Sequence, residues 1–483
     1  MKTRFFNEPV LEFGNDSHEC PRFGIANFET YDSQPVLFST KPKNIVLGII
    51  GTEQNFEQFI GWLNLCSDFI PEKPSKQSNL FTSFCGFNEY VGFNAKMVYS
   101  QPYFRQINDT DINRIIKGVK KVGRQAGINE VAQIYLQHIE FLAQNKNPQV
   151  IICLVPDKLF AKVLKGGKHV EIEDKDEVQD DSEINFHHFL KAKSMQYKIP
   201  IQIVKERTLP IEQIKENSKS DLQDLATRAW NFCTAVYYKA GGIPWKAITK
   251  EIDNLTCFVG ISFYRSLDKE TLQTSLAQIF DEQGKGVILR GSPVQIDKKG
   301  DRQPHLTEEQ AYELLRHAIE AYKFAEGVSP KRVVLHKSSK YTESEVEGFT
   351  KAIEEKQITT FDFVNIVESD VRLFRMGNYP PLRGTSIELA EHNHLLYTKS
   401  AVSYYQTYAG MYIPRPIEIR MEALNSSSRK VCEEILSLTK MNWNNTQFDG
   451  KMPITIECSR SVGSILKYLN ENEKPETRYS FYM

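Results

Sequence analysis

The chain has 483 residues, 41% hydrophobic and 11% aromatic, enough apolar side chain for packed cores, which excludes global disorder. No run of about 18 apolar residues occurs, and the opening MKTRFFNEPVLEFG lacks the basic stretch and apolar core of a secretion signal, so the expectation is a cytoplasmic protein that spans no membrane. A formal net charge of −1 excludes a broadly basic surface, so any site for a polyanion must be a local concentration of cations.

Lys43 to Thr52 (KNIVLGIIGT) is an apolar run ending in Gly-Thr, followed by Phe56, Phe59, Ile60 and Leu63 at helical spacing: strand, turn, helix. A long helix is predicted over Asp111 to Gln144, and a buried strand over Gln149 to Pro156 (QVIICLVP). The acidic run Glu171 to Glu183 reads as a solvated loop that removes many carboxylates from the rest of the surface. A helix near Ile184 to Tyr197, a strand at Pro200 to Val204 and a helix over Asp221 to Lys239 follow, the last stopped by Ala240-Gly241-Gly242 and Pro244. Strands alternating with helices indicate a parallel α/β unit, taken as residues 1–250. A second unit, residues 251–483, has predicted strands at Thr256–Tyr264, Gly286–Arg290, Arg332–His336, Phe361–Val367, Thr385–Leu389 and Ile417–Met421. Its helices are predicted at Glu308–Glu326, Glu343–Glu355, Arg429–Thr439 and Ser461–Asn470. With no low-complexity linker between them, the units are expected to pack together. The eight cysteines form no CxxC pair, and several sit in apolar stretches, so they read as reduced core residues rather than a zinc site or disulfide framework.

Four side chains of the first unit suit one chemistry. His187 and Lys191 are four apart on a predicted helix and share a face. Gln202 lies on the next strand, and Lys239 in the last turn of the next helix. Two cations, a titratable ring and an amide are what a terminal phosphate wants around its tetrahedron. Each residue taken singly reads equally as an ordinary solvated side chain.

The order of these pieces resembles the Argonaute family. YYKAGGIPW (Tyr237 to Trp245) is similar to the end of the pocket helix of an Argonaute MID domain. The frame His187-x-x-x-Lys191, Gln202 in IPIQIV, then Lys239 is similar to the family's Tyr-x-x-x-Lys, Gln, Lys series. PPLRGTSIEL, LLYT, TYAGMYIPRPIEI and LTKMNWNNTQF resemble the PIWI module, and the opening EPVLEFG resembles short prokaryotic members. The resemblance implies a Rossmann-like MID domain followed by a ribonuclease-H-like PIWI domain, without the N and PAZ domains of long Argonautes. It gives His187, Lys191, Gln202 and Lys239 the guide's 5′ phosphate, with a histidine where tyrosine is usual, so that the grip is expected to weaken as pH rises through the imidazole pKa. Ala235 stands where many members have a further lysine, which leaves room for Mg²⁺ at the phosphate. The carboxylate of Met483 is a candidate ligand for that metal. Arg383, Lys440, Asn442 and Asn444 are candidate contacts to the nucleic-acid backbone.

A ribonuclease-H-like nuclease needs carboxylates on adjacent strands to hold two metals. By resemblance these positions read Ser262, Lys337 and Arg460 here, which implies a PIWI module that does not cut. Short Argonautes pair with an APAZ-domain effector, whether TIR, sirtuin-like or nuclease. The implied function is a guide-binding subunit of an antiviral defence system in prokaryotes: guide RNA (or DNA) pairs with complementary single-stranded DNA, and the partner then depletes NAD⁺ or degrades nucleic acid. The rivals are a divergent metal-dependent nuclease acting alone, and a protein scaffold without nucleic acid, which the net charge favours.

Overall fold

The computed structural model describes residues 2–35, 41–76, 78–165, 184–210, 222–248, 255–267, 271–279, 286–294, 303–377, 380–406, 408, 410, 412–448, 450–470 and 473–483. The acidic run at 171–183 lies outside them. Strand β1 (Lys2–Phe5) opens the chain and is followed by β2 (Asn44–Gly51), helix α1 (Glu53–Ser67), β3 (Lys96–Val98), β4 (Phe104–Gln106), α2 (Asp109–Val122), α3 (Arg124–Asn145), β5 (Val150–Val155), α4 (Phe186–Ser194), β6 (Ile201–Lys205) and α5 (Leu225–Lys239). β2 to β6 form one sheet in the order β6-β5-β2-β3, with β4 also paired to β2, and every pairing is parallel. β5 is an uncharged run because both its faces are covered: Val150, Ile152 and Leu154 join a core with α1 and α5, while Ile151, Cys153 and Val155 join another with α3. The single helix predicted over Asp111–Gln144 is two, broken at Gly123, whose φ of 85° leaves the helical region.

The second sheet is built from β7 (Thr256–Arg265), β8 (Leu272–Ile279), β9 (Gly286–Val294), β10 (Arg332–Lys337), β11 (Thr360–Glu368), β12 (Thr385–Ala390), β13 (Asn393–Leu396) and β14 (Ile417–Leu424). With β1 it runs β1-β12-β13-β14-β11-β10-β7-β8-β9, parallel at β7-β10-β11 and antiparallel elsewhere. Helices α6 (Glu308–Glu326) and α7 (Glu343–Glu355) cover one face; both start in capping boxes, at Thr307 and Thr342. α8 (Ser428–Leu438) and α9 (Ile454–Leu466) cover the other. A Cβ on Gly260 of β7 would lie 2.0 Å from the carbonyl oxygen of Thr455, which is how closely α9 rests on the sheet. α9 starts directly after Pro453 rather than near Ser461 as predicted.

The chain start departs from the expected division at residue 250. β1 pairs with β12 of the second sheet, and Lys246–Ala247 pairs with Leu11–Glu12. One continuous core, holding Trp230 and Tyr238 together with Trp443, Ile465 and Tyr482, spans both units, so they are packed together as the missing linker implies. Seven cysteines are buried, Cys85 is half-buried, and all eight are free thiols. No described helix is long and apolar enough to cross a membrane.

Candidate anion-binding pocket

The pocket forms where α4, β6 and the end of α5 meet the last residues of the chain. Asn185 caps α4, its side chain accepting from the amides of His187 (3.0 Å) and His188 (3.3 Å), while its own amide donates to Tyr468 Oη at 2.8 Å. The helix is thereby fixed to the second unit at the turn that carries His187. One turn later Lys191 is buried, its Nζ donating to the main-chain oxygens of Met483 (3.0 Å) and Tyr482 (3.4 Å).

α5 delivers Lys239 from the other side. Gly241 takes φ of 96°, which ends the helix, and a Cβ on Gly242 would lie 2.3 Å from the Tyr237 ring, so the paired glycines are required by turn and packing respectively. Lys239 is buried; its Nζ donates to Gln202 Oε1 at 2.8 Å and to Tyr238 Oη at 3.2 Å. The four residues chosen from sequence therefore converge, with Met483 beside them.

Neither lysine forms an ion pair with a carboxylate side chain among the described residues. Burial lowers the Lys191 pKa to about 8. Burial, and then the charge of Lys191, pulls Lys239 well below the ordinary lysine range. The His187 ring keeps an open side to solvent, yet the crowding of protein around it, then Lys191, His188, Lys239 and Lys205, hold it well below its usual value. This corrects the expected pH response: His187 is neutral at neutral pH, so it does not switch the grip there. Apart from the Met483 oxygen that accepts from Lys191, no carboxylate is bonded to either lysine among the described residues, a charge balance that suits an anion. Gln202 Oε1 and one oxygen of Met483, which a divalent cation there would also use, each accept from a lysine.

The second-unit candidates are internal. Arg383 pairs with Glu8 at 2.9 Å and donates to Thr439 Oγ1 at 2.7 Å and to the Thr398 carbonyl. Lys440 reaches Glu8 at 3.1 Å and the carbonyls of Pro9 and Glu19, both at 2.6 Å. Both are buried and spent on pinning the N-terminal segment, so the structure gives them no exposed face for a nucleic-acid backbone. Asn442 and Asn444 instead support the pocket. Asn442 Nδ2 donates to Glu457 at 2.9 Å, its Oδ1 accepts from the Asn444 amide at 3.0 Å, and Asn444 Oδ1 accepts from Tyr238 Oη at 2.6 Å. Trp245 Nε1 donates to the Lys440 carbonyl at 2.9 Å, so GIPW and LTKMNWN touch directly. Sequence reading missed Tyr238, the phenol that links this support to Lys239, although it is adjacent to that lysine in the chain.

Ser262 and Lys337 lie on opposite faces of the second sheet. Ser262 Oγ is 2.9 Å from Ser275 Oγ, which donates to the Ser459 carbonyl of α9 at 2.7 Å. Lys337 points toward α7 and pairs with Glu345 at 2.7 Å, both fully buried. The residue that follows Ile261 across the ladder is Ser338, whose amide donates to the Ile261 carbonyl at 3.2 Å. Lys337 therefore faces away from Ser262. Arg460 sits half-buried on α9. Among the described residues, no three His, Cys, Asp or Glu side chains gather as a metal site.

No family model matches the chain. It is 27% identical over 283 residues to the protein argonaute of Aquifex aeolicus, a match that covers 58% of this chain and 36% of that relative. Among solved structures, Clostridium butyricum Argonaute bound to a guide DNA and a 19-mer target DNA superposes with a TM-score of 0.63 at 17% identity, covering 100% of this chain and 55% of that one. Drosophila Piwi gives 0.59 at 12% identity, over 99% and 56%. The chain thus spans little more than half the length of the proteins it matches in structure. In sequence the chain is similar to an argonaute protein, and its fold is similar to that of Argonaute and Piwi structures.

Proposed function

We propose that this chain holds a guide strand by its 5′ phosphate in the pocket of His187, Lys191, Gln202 and Lys239, pairs it with complementary single-stranded DNA, and does not cut the target. The observation that carries the reading is the pair of buried lysines without a carboxylate side chain to neutralise them. A phosphate placed between them would accept from both ammoniums, from the imidazole, and from the amide of Gln202 once its ring of contacts opens. The structural neighbour from Clostridium butyricum is described as bound to a guide and a target strand, which supports the same use here. RNA is the guide we favour, with DNA as the alternative.

Ser262 on β7, with Ser338 just past the end of β10 bonded to the Ile261 carbonyl, supports the absence of cutting, because two-metal hydrolysis needs carboxylates from adjacent strands. The resemblance to short Argonautes supports the last step, in which target pairing activates an APAZ-domain effector in prokaryotic defence. The decisive experiment measures binding of one oligonucleotide with and without its 5′ phosphate, as RNA and as DNA, to the chain purified with its genomic neighbour. Preference for the phosphorylated strand is expected. Equal affinity for both ends would remove the pocket reading and bring the scaffold forward. Target cleavage by the chain alone in Mg²⁺ or Mn²⁺ would instead favour the nuclease.

A further inference from the structure

The β1 edge of the second sheet carries another cationic recess, which shares no residue with the pocket above. Strand alternation places Lys2, Arg4 and Phe6 on one face. The register sets Lys2 opposite Glu388, Arg4 opposite Ser386, and Glu388 opposite His394 on β13. α8 lies over this face, and Phe6, Leu396, Cys432 and Leu436 make the core beneath its body. Toward the start of the helix the apolar filling gives out. There a narrow recess opens between Lys2, Arg4, Glu388, His394, Ser428 and Arg429.

Three features point to an oxyanion. The N-terminus of α8 faces the recess: Ser427 caps it by accepting from the Lys430 amide at 3.2 Å, the first turn holds no acidic residue, and the amides before Lys430 have no acceptor within the helix. Independently, His394 is 5% exposed, and its Nε2 is buried without a hydrogen-bond partner. A buried ring nitrogen left in that state is costly unless something enters to hydrogen-bond with it. The charge balance is also positive. Lys2, Arg4 and Arg429 surround a single recess carboxylate, Glu388; Arg429 leans on Glu433 at 3.0 Å at the surface, and neither Lys2 nor Arg4 forms an ion pair with a described residue.

We propose that this recess binds a phosphate group, with the oxygens accepting from the first amides of α8 and from His394 Nε2 as the ring takes up a proton beside the anion, and with Arg4, Lys2 and Arg429 closing the mouth. The group is either a phosphodiester of a nucleic-acid backbone or a free phosphate ion.

The test uses the full chain carrying Lys191→Ala and Lys239→Ala, so that the other pocket is silent. It compares this parent with a form that also carries Arg4→Gln and Arg429→Gln; both arginines are exposed, so folding is retained. His394→Phe, which removes the buried donor, is the second variant. The probes are inorganic phosphate, followed by thermal melting, and a 5′-hydroxyl single-stranded oligodeoxynucleotide, followed across a salt series. An oligonucleotide affinity about tenfold weaker in the arginine variant, with a log–log salt slope smaller by about one, supports the site and assigns a backbone phosphodiester. Dose-dependent stabilisation by phosphate, lost in both variants while oligonucleotide binding is unchanged, supports it with a free ion as ligand. Identical responses of parent and variants to both probes overturn it.

Discussion

Tyr238 Oη donates to Asn444 Oδ1 at 2.6 Å and accepts from Lys239 Nζ at 3.2 Å, so one phenol joins the buried lysine of the first unit to an asparagine of the second. Tyr238→Phe and Asn444→Ala should each weaken binding of a 5′-phosphorylated guide by about 1 kcal/mol, the scale of one neutral hydrogen bond. Binding of the same strand with a 5′ hydroxyl should not change. A loss equal for both strands would mean that these residues act on folding and not on the pocket.

The lysines themselves should count for more. Lys191→Ala or Lys239→Ala is expected to cost about 1.5–3 kcal/mol of phosphorylated-guide affinity, the range for a charged hydrogen bond. Because the charge of Lys191 lowers the proton affinity of Lys239, removing Lys191 lets Lys239 hold its proton more firmly, so the double variant should lose more than the sum of the single losses. Titration binding of all three variants against wild type decides this, and unchanged affinity would refute the assignment.

The depressed Lys191 pKa fixes a direction with pH. The ammonium form binds phosphate, and in the guide-free protein it persists only up to about pH 8. Phosphate-dependent affinity should therefore hold from about pH 7 to 8 and fall above it, by up to about tenfold per pH unit. Stability of the guide-free protein moves the other way. An unfolded lysine keeps its proton to about 10.4, so between about pH 8 and that value the unfolded chain binds more protons and the Lys191 contribution to stability rises. Lys191→Met should remove this rise and stabilise the guide-free protein at neutral pH by about 3 kcal/mol, as read by denaturant unfolding at two pH values.

Ser262→Asp should not create cutting. It places a carboxylate in a site that is 2% exposed, beside Ser275 and across from Ser338, with no second acid from the neighbouring strand. Lower thermal stability and no Mn²⁺-dependent product are expected. Cleavage by this single variant would show that other acids complete the metal site.

Lys337 and Glu345, each fully buried and 2.7 Å apart, join the end of β10 to the first turn of α7. Lys337→Met leaves Glu345 without its cation and should cost about 3–5 kcal/mol. Guide binding per folded molecule should be unaffected, which separates this structural pair from the pocket in a combined melting and binding assay.

The alternation of apolar runs with helical patterns, the glycine stop after Lys239 and the spacing from His187 to Lys239 were legible in the chain because periodicity and capping are local properties. They placed most of the helices and strands and named residues that the fold brings near one another. Local signals are silent on which distant segments pair and which way a side chain faces. β1 joins a sheet whose other strands begin more than two hundred residues later, since its partner is set by register with β12. Arg383 and Lys440 carry charges that sequence assigns to a surface, yet Glu8 folds over and buries them. Lys337 and Ser262 lie on adjacent strands, and one residue of register sends their side chains to opposite faces of the sheet. Sequence alone determined the kinds of element and the chemistry carried along them. The tertiary structure alone decided which charges are consumed inside the protein and which two lysines remain for an anion, because that depends on contacts between residues far apart in the chain.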